Sequence, residues 1–176
     1  MDINELFNQF TLFDPAKGQR ADLPAVEGNY IVMLKTGCNI PDVLGNFKYT
    51  EVSLHGVDYR VLYTGVASNL KSRIWTNHLH GNGGNSTLRK TLGSLFGYQK
   101  IARDKNYQIN KKTKFGAEDE NCLTAWMERN LLFAYLANDK RNELESFFID
   151  SLLPPLNVEG SKAATLKRVH ELRCDK

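Results

Sequence analysis

The sequence predicts an α+β fold, a small, mainly antiparallel sheet of about three strands with helices packed around it. Residues 29–35 are apolar and β-branched, and residues 131–137 form a short apolar run of strand length. Between them, residues 48–65 alternate on both sides of His55-Gly56, which indicates a hairpin. These segments predict the sheet.

Capping and stop signals predict the helices. Ser68 or Asn69 is suited to cap a first helix, and Ser86 a second. Pro154-Pro155 ends a later one, because proline cannot continue a helix. The four predicted helices cover residues 69–78, 87–96, 122–130 and 142–153. The polar stretch 104–121 is expected to be an exposed, partly mobile loop.

Length and composition indicate one domain over residues 1–176, since 41% hydrophobic content supplies a sizeable core. The start of the chain lacks the features of a signal peptide, and no apolar run approaches the length of a membrane span. We therefore expect a soluble, cytoplasmic protein with no membrane partner. The three cysteines are far apart and in no metal-ligand spacing, so we expect reduced thiols.

The net charge of +3 is unevenly distributed. Residues 69–114 carry ten basic side chains and one acidic, Asp104, whereas the segments on either side are net acidic. Such a block suits either a surface that follows nucleic-acid phosphates or a solvated basic face, and charge alone favours neither. The candidate nucleic-acid contacts within it are Arg89, Lys90, Lys111, Lys112 and Lys114.

The chain contains an ordered set of short motifs, first Gly28-Asn29-Tyr30, then Tyr63-Thr64-Gly65, then Arg73 in the helix that follows. This set resembles the GIY-YIG nuclease family, with the first tripeptide matching its first signature and the second tripeptide its second. Residues 144–157 resemble the helix that carries the family's metal-binding glutamate. The block 85–97 further resembles a subgroup of stand-alone bacterial and phage members.

The resemblance covers residues 26–158 and leaves an N-terminal extension, 1–25, and a basic C-terminal tail, 159–176. It implies a metal-dependent endonuclease that hydrolyses phosphodiester bonds, with DNA as substrate rather than RNA. Glu145 would hold Mg²⁺ or Mn²⁺, which need few protein carboxylates. The site residues implied by the resemblance are Tyr30, Tyr63, Arg73, His78, Glu145 and Asn157.

Two departures from the family pattern concern geometry. Asn29 and Thr64 stand where the signatures have isoleucine, but strand alternation directs these side chains away from the tyrosine face. His78 is five residues after Arg73, so a regular α-helix would place it about 140° away. Either the helix is irregular or another residue serves, and His80 is the candidate on the same face as Arg73.

Two other functions fit parts of the sequence. A nucleic-acid-binding module that has lost catalysis needs only the basic block, whereas the full set of Tyr, Arg, Glu and Asn positions favours the enzyme. A protein-interaction domain with an incidental basic loop would show no salt-sensitive DNA binding. The sequence carries no signal for an oligomeric state or for a separate DNA-reading module.

Overall fold

The computed structural model describes residues 3–45 and 48–174 of the chain. The α+β class is confirmed, but the main sheet in this part has five antiparallel strands rather than about three. The strands are β1 (Thr11–Phe13), β2 (Gly28–Leu34), β3 (Glu51–Leu54), β4 (Val57–Ala67), β5 (Lys100–Ala102), β6 (Thr113–Phe115) and β7 (Leu131–Ala137). Their order in the main sheet is β1-β7-β2-β4-β3, and β5 and β6 form a separate hairpin.

Helices lie on both sides of the sheet. The α-helices are α1 (Ile3–Phe7), α2 (Thr87–Leu95), α3 (Tyr107–Asn110), α4 (Ala117–Asn130), α5 (Arg141–Leu152) and α6 (Leu166–Cys174). A 3₁₀ turn covers Arg20–Asp22 and a π-helix covers Ser72–Leu79. None of the described helices is long and apolar enough to cross a membrane.

Local sequence signals account for most of these elements. Leu54 pairs with Val57, and His55 and Gly56 between them have φ values of 52° and 78°, as a type I′ turn requires. The Ser86 hydroxyl accepts the Arg89 N–H at 3.1 Å and caps α2 as predicted. Helix α5 ends at Leu152, directly before Leu153 and the two prolines.

One prediction of irregular structure was wrong in part, and two elements lie in segments for which the sequence predicted none. The predicted loop 104–121 contains α3 and β6, and α4 begins inside it at Ala117. In the N-terminal extension, β1 adds a fifth strand by pairing with β7. The C-terminal tail contains α6. Each of these elements is short or strongly polar, so its own periodicity is weak.

The two faces of β2 lie in two different apolar clusters. Tyr30, Val32 and Leu34 pack toward the π-helix, α2 and α4. Ile31 and Met33 point the other way and pack with Phe7 of α1 and Phe148 of α5. The alternation predicted for β2 is therefore confirmed, and it directs Tyr30 toward the π-helix.

Candidate active site

Antiparallel pairing of β2 and β4 places the two signature tyrosines on one face as diagonal neighbours, directly before a β-bulge. Val32 pairs with Tyr63 and Met33 with Val61, so Leu62 is an extra residue in β4. On the same face, Tyr30 pairs with Gly65, and the rings of Tyr30 and Tyr63 stack with centroids 6.3 Å apart. Gly65 is needed because a Cβ there would overlap the Tyr30 hydroxyl.

The π-helix resolves the spacing of Arg73 and His78. Its N–H groups bond five residues back, as in the 3.0 Å bond from the His80 N–H to the Trp75 carbonyl. Two residues that are five positions apart therefore lie near the same face of a π-helix, whereas an α-helix would place them on different faces. His78 lies in the cluster with Tyr30, whereas His80 is exposed and contacts the Trp75 ring. Of the two histidines, His78 is therefore the one that lies beside Tyr30.

A chain of hydrogen bonds runs inward from Arg73. Its Nε donates to the Tyr30 hydroxyl at 3.2 Å, and that hydroxyl lies 2.7 Å from Nε2 of His78. On the other side of the ring, Nδ1 of His78 lies 2.6 Å from the Ser86 hydroxyl oxygen. With the hydrogen of His78 on Nδ1, Tyr30 donates to Nε2 and Ser86 accepts from Nδ1. The Tyr30 hydroxyl and both ring nitrogens of His78 then each have a hydrogen-bond partner.

The inner members of this chain are uncharged at neutral pH. Burial, reinforced by Tyr63, raises the pKa of Tyr30 well above its usual range. Burial and the positive charges of Arg73 and Arg89 hold the pKa of His78 well below its usual 6.5. Burial also raises the pKa of Tyr63, although Arg73 acts in the opposite direction. The cluster therefore presents neutral phenols and a neutral imidazole beside one guanidinium.

Arg89 lies inside the protein, which corrects its predicted role as a DNA contact. Its side chain is 0% exposed, and it donates to the Glu120 carboxylate at 2.7 and 2.9 Å. It also donates to the carbonyls of His78 at 3.0 Å and Leu79 at 2.9 Å. Arg89 thus ties the end of the π-helix to α2 and α4, and no face of it is free for a phosphate.

Asn157 braces β4 from beyond the diproline. Its Nδ2 donates to the Thr64 carbonyl and its Oδ1 accepts the Thr64 N–H, both at 2.9 Å. Leu156 adds a backbone bond to the Leu62 carbonyl at 3.0 Å. Asn157 thereby provides hydrogen-bond partners for the backbone of β4 next to Tyr63, where β3 no longer pairs with β4.

Thr64 and Asn29, the middle residues of the two signatures, are both buried. The Asn29 amide donates to the Arg141 carbonyl on the face of the sheet away from Tyr30.

Glu145 is half-buried on α5 and faces the same site. Burial raises the pKa of its carboxyl, the negative charge of Glu159 raises it further, and the positive charge of Arg73 lowers it. Mg²⁺ binds through one or two carboxylates and keeps several waters, and a cation would relieve the cost of burying Glu145. Glu145 therefore suits such an ion. Within residues 3–45 and 48–174, no group of three or more His, Cys, Asp or Glu side chains forms a fuller metal site.

Solvent reaches the cluster at its outer edge. Tyr30 and His78 are 0% exposed, whereas Tyr63 is 7% exposed and Arg73 is half-buried. Arg73 lines an open cavity of about 250 Å³ with Ser72 and Asn77. Within the cluster, Tyr63 and Arg73 are therefore the residues that solvent reaches.

Of the four predicted basic contacts other than Arg89, two line one cavity and two do not. Lys90 and Lys112 line a second cavity that also contains Ser86, the partner of His78. Lys111 is exposed and Lys114 is half-buried, and neither lines that cavity. The sequence analysis did not identify Ser86, Glu120 and Arg173 as neighbours of the site. Of the three, only Ser86 was recognisable from the local sequence, and only as a helix cap.

Fold and side chains together define a class, an α+β domain with two strand tyrosines, a helical arginine and a glutamate grouped beside one antiparallel sheet. A family model described as the GIY-YIG catalytic domain matches residues 28–175. The chain belongs to the GIY-YIG family, and the resemblance read from its motifs is confirmed. No curated protein and no solved structure matches the chain significantly.

Proposed function

We propose that the protein is a metal-dependent endonuclease that hydrolyses phosphodiester bonds in DNA. Membership of the GIY-YIG family supports the nuclease class. The observation that carries the proposal is the hydrogen-bonded chain from Arg73 through Tyr30 to His78, placed beside Tyr63 and Glu145. A module that only bound DNA would have no need of a buried neutral histidine joined to a tyrosine and an arginine.

Arg73 supplies charge where the reaction needs it. Hydrolysis of a phosphodiester builds negative charge on the phosphoryl oxygens, and fixed positive groups lower that barrier. The guanidinium of Arg73 is planar and always charged, and its Nε is held by Tyr30 at 3.2 Å. Arg73 also lines the open cavity, so a bound phosphate could reach it from that side. Arg73 would therefore brace the phosphoryl oxygens.

Tyr63 is the member of the aromatic cluster that meets the attacking water, because it alone keeps some exposure. Its hydroxyl interacts with that of Tyr30, which lies 2.7 Å from Nε2 of His78. A proton that leaves the water at Tyr63 then has a path through Tyr30 to the imidazole. His78 would be the proton acceptor of the cluster, and the hydroxide formed would attack phosphorus.

Substrate binding would make His78 a better base. In the free protein Arg73 helps to lower the pKa of His78. A phosphate anion beside Arg73 offsets that positive charge, and the proton affinity of the imidazole rises. The base would thus be strongest when DNA occupies the site.

Glu145 would hold Mg²⁺ or Mn²⁺. Such an ion would supply positive charge that stabilises the leaving 3′ oxygen. Asn157 would position Tyr63 by holding the backbone of Thr64. We also propose that the chain forms one domain and that the protein is cytoplasmic.

The test uses the purified protein with plasmid, branched and single-stranded DNA, in Mg²⁺ and in chelator. We expect cutting of DNA in Mg²⁺ only, and we expect Glu145→Gln to abolish it while DNA binding persists. Glu143→Gln, an exposed position on the same helix, is the matched control and should cut normally. If the protein binds DNA in a salt-sensitive way but cuts none of the substrates, the proposal of an enzyme is wrong and the protein is a nucleic-acid-binding module.

A further inference from the structure

A second cavity, of about 250 Å³, lies between the start of α2, the start of β6 and α6. Three cations from separate parts of the chain line it, Lys90 of α2, Lys112 directly before β6, and Arg173 of α6. Hydroxyl groups of Ser86, Thr87 and Thr113 lie among them. Among the described residues that line this cavity, none is acidic. The lining is that of an anion site.

Among the described residues, the cations of this cavity lack a counter-charge. In the part of the chain that the structure describes, Lys90, Lys112 and Arg173 take part in no ion pair. Burial, Arg173 and Lys100 lower the pKa of Lys90, and burial lowers that of Arg173. Crowded, partly desolvated cations raise the free energy of the folded protein, and a bound anion relieves that cost.

Two features connect the cavity with the candidate active site. Ser86 lines the cavity, and its hydroxyl oxygen lies 2.6 Å from Nδ1 of His78. Arg173 also lines the cavity, and the Tyr63 hydroxyl influences the pKa of Arg173. An anion held there would lie next to Ser86, the partner of His78.

We propose that this cavity is a subsite for a second, uncleaved phosphate of the bound nucleic acid. The proposal rests on the proposed nuclease function, which supplies the polyanion. Lys90, Lys112 and Arg173 would neutralise the phosphate, and the hydroxyl groups would donate to its oxygens. Contacts of this kind set the position of the backbone and carry no sequence information. The subsite would therefore fix which phosphodiester bond of the strand lies at Tyr63 and Arg73.

The experiment compares two double variants of the full chain that lose the same charge. Lys90→Gln with Arg173→Gln empties the cavity of two cations, and Lys105→Gln with Lys167→Gln removes two exposed lysines outside it. Binding of a 20-bp duplex is measured in chelator over a series of salt concentrations. We expect the first variant alone to flatten the salt slope by about 0.9, the value for one phosphate contact. Lys112→Gln tests the same cavity from an exposed position if the double variant does not fold.

Inorganic phosphate provides a second readout that needs no DNA. At constant ionic strength, phosphate should raise the Tm of the wild type and of the control variant, and raise it less when Lys90 and Arg173 are replaced. Equal salt slopes and equal phosphate-induced shifts in all three proteins would overturn the subsite. Absence of cutting by the wild type, with both differences present, would overturn the nuclease function and leave the anion site standing.

Discussion

The Tyr30 hydroxyl lies 2.7 Å from Nε2 of His78, although 48 residues separate the two in the chain. Tyr30 is on β2 and His78 is on the π-helix, and both are fully buried. The contact depends on the extra residue per turn of the π-helix, which brings Arg73 and His78 to one face. This irregular helix is thus part of the site.

Removal of the Tyr30 hydroxyl should disconnect Arg73 from His78. For Tyr30→Phe we expect kcat for DNA cleavage to fall by roughly 10²-fold or more, the usual contribution of positioned proton transfer, with KM little changed. Tyr59→Phe, a half-buried tyrosine packed against the opposite face of the sheet, is the control. Wild-type kcat in Tyr30→Phe would mean that the buried chain has no part in turnover.

Ser86 should matter both for His78 and for α2. Ser86→Ala removes the partner of His78 Nδ1 and the cap of α2, so the free energy of unfolding should fall by about 1 kcal/mol and kcat should fall as well. Ser86→Thr keeps the hydroxyl and should recover both quantities. Ser94→Ala on the same helix removes a hydroxyl that bonds only the Lys90 carbonyl, and it should leave kcat unchanged. Loss of stability without loss of kcat would limit Ser86 to capping.

The pattern of the sequence was sufficient for the tyrosine face of the site. Alternation in β2 fixes the direction of Tyr30, and the hairpin turn at His55-Gly56 fixes where β4 begins. It was not sufficient for His78, because a π-helix differs from an α-helix by its hydrogen bonds and leaves no separate mark in residue spacing.

Arg89 shows a different gap between sequence and structure. Charge counting assigned it to the surface, since arginine is rarely fully buried without a partner. Its position three residues before Leu92 already places it on the apolar side of α2, but its partner Glu120 is 31 residues away. Such a long-range pair cannot be identified from local pattern. The same holds for Asn157, whose two bonds to Thr64 span 93 residues.

The buried pair of Arg89 and Glu120 should dominate local stability. Glu120→Ala leaves a buried guanidinium without its carboxylate, and we expect the free energy of unfolding to fall by roughly 3–5 kcal/mol in denaturant titrations. Lys162→Ala breaks an exposed pair with Asp150 and should cost less than about 1 kcal/mol. Similar losses in the two variants would contradict the burial of Arg89.

Because of His78, the free energy of unfolding should depend on pH. Its pKa in the folded protein is far below 6.5, so below that pH the unfolded chain binds a proton that the folded protein does not. Stability should therefore fall as pH drops below about 6.5, by at most about 1.4 kcal/mol per pH unit from this group. His78→Gln should remove this slope, and His170→Gln, which replaces an exposed histidine, should keep it. An unchanged slope in His78→Gln would show that His78 is charged when folded.

The most direct measurement concerns Arg73, the group placed to meet the phosphoryl oxygens. Single-turnover cleavage of saturating duplex DNA in Mg²⁺ is measured for wild type and Arg73→Ala, together with the Kd of the same duplex in chelator. We predict a rate lower by roughly 10²–10³-fold, the usual loss for one transition-state donor, and a Kd changed only a few-fold. Lys71→Ala, a neighbouring cation outside the cluster, should leave the rate unchanged. A loss confined to Kd, or an unchanged rate, would contradict the assignment of Arg73 to the chemical step.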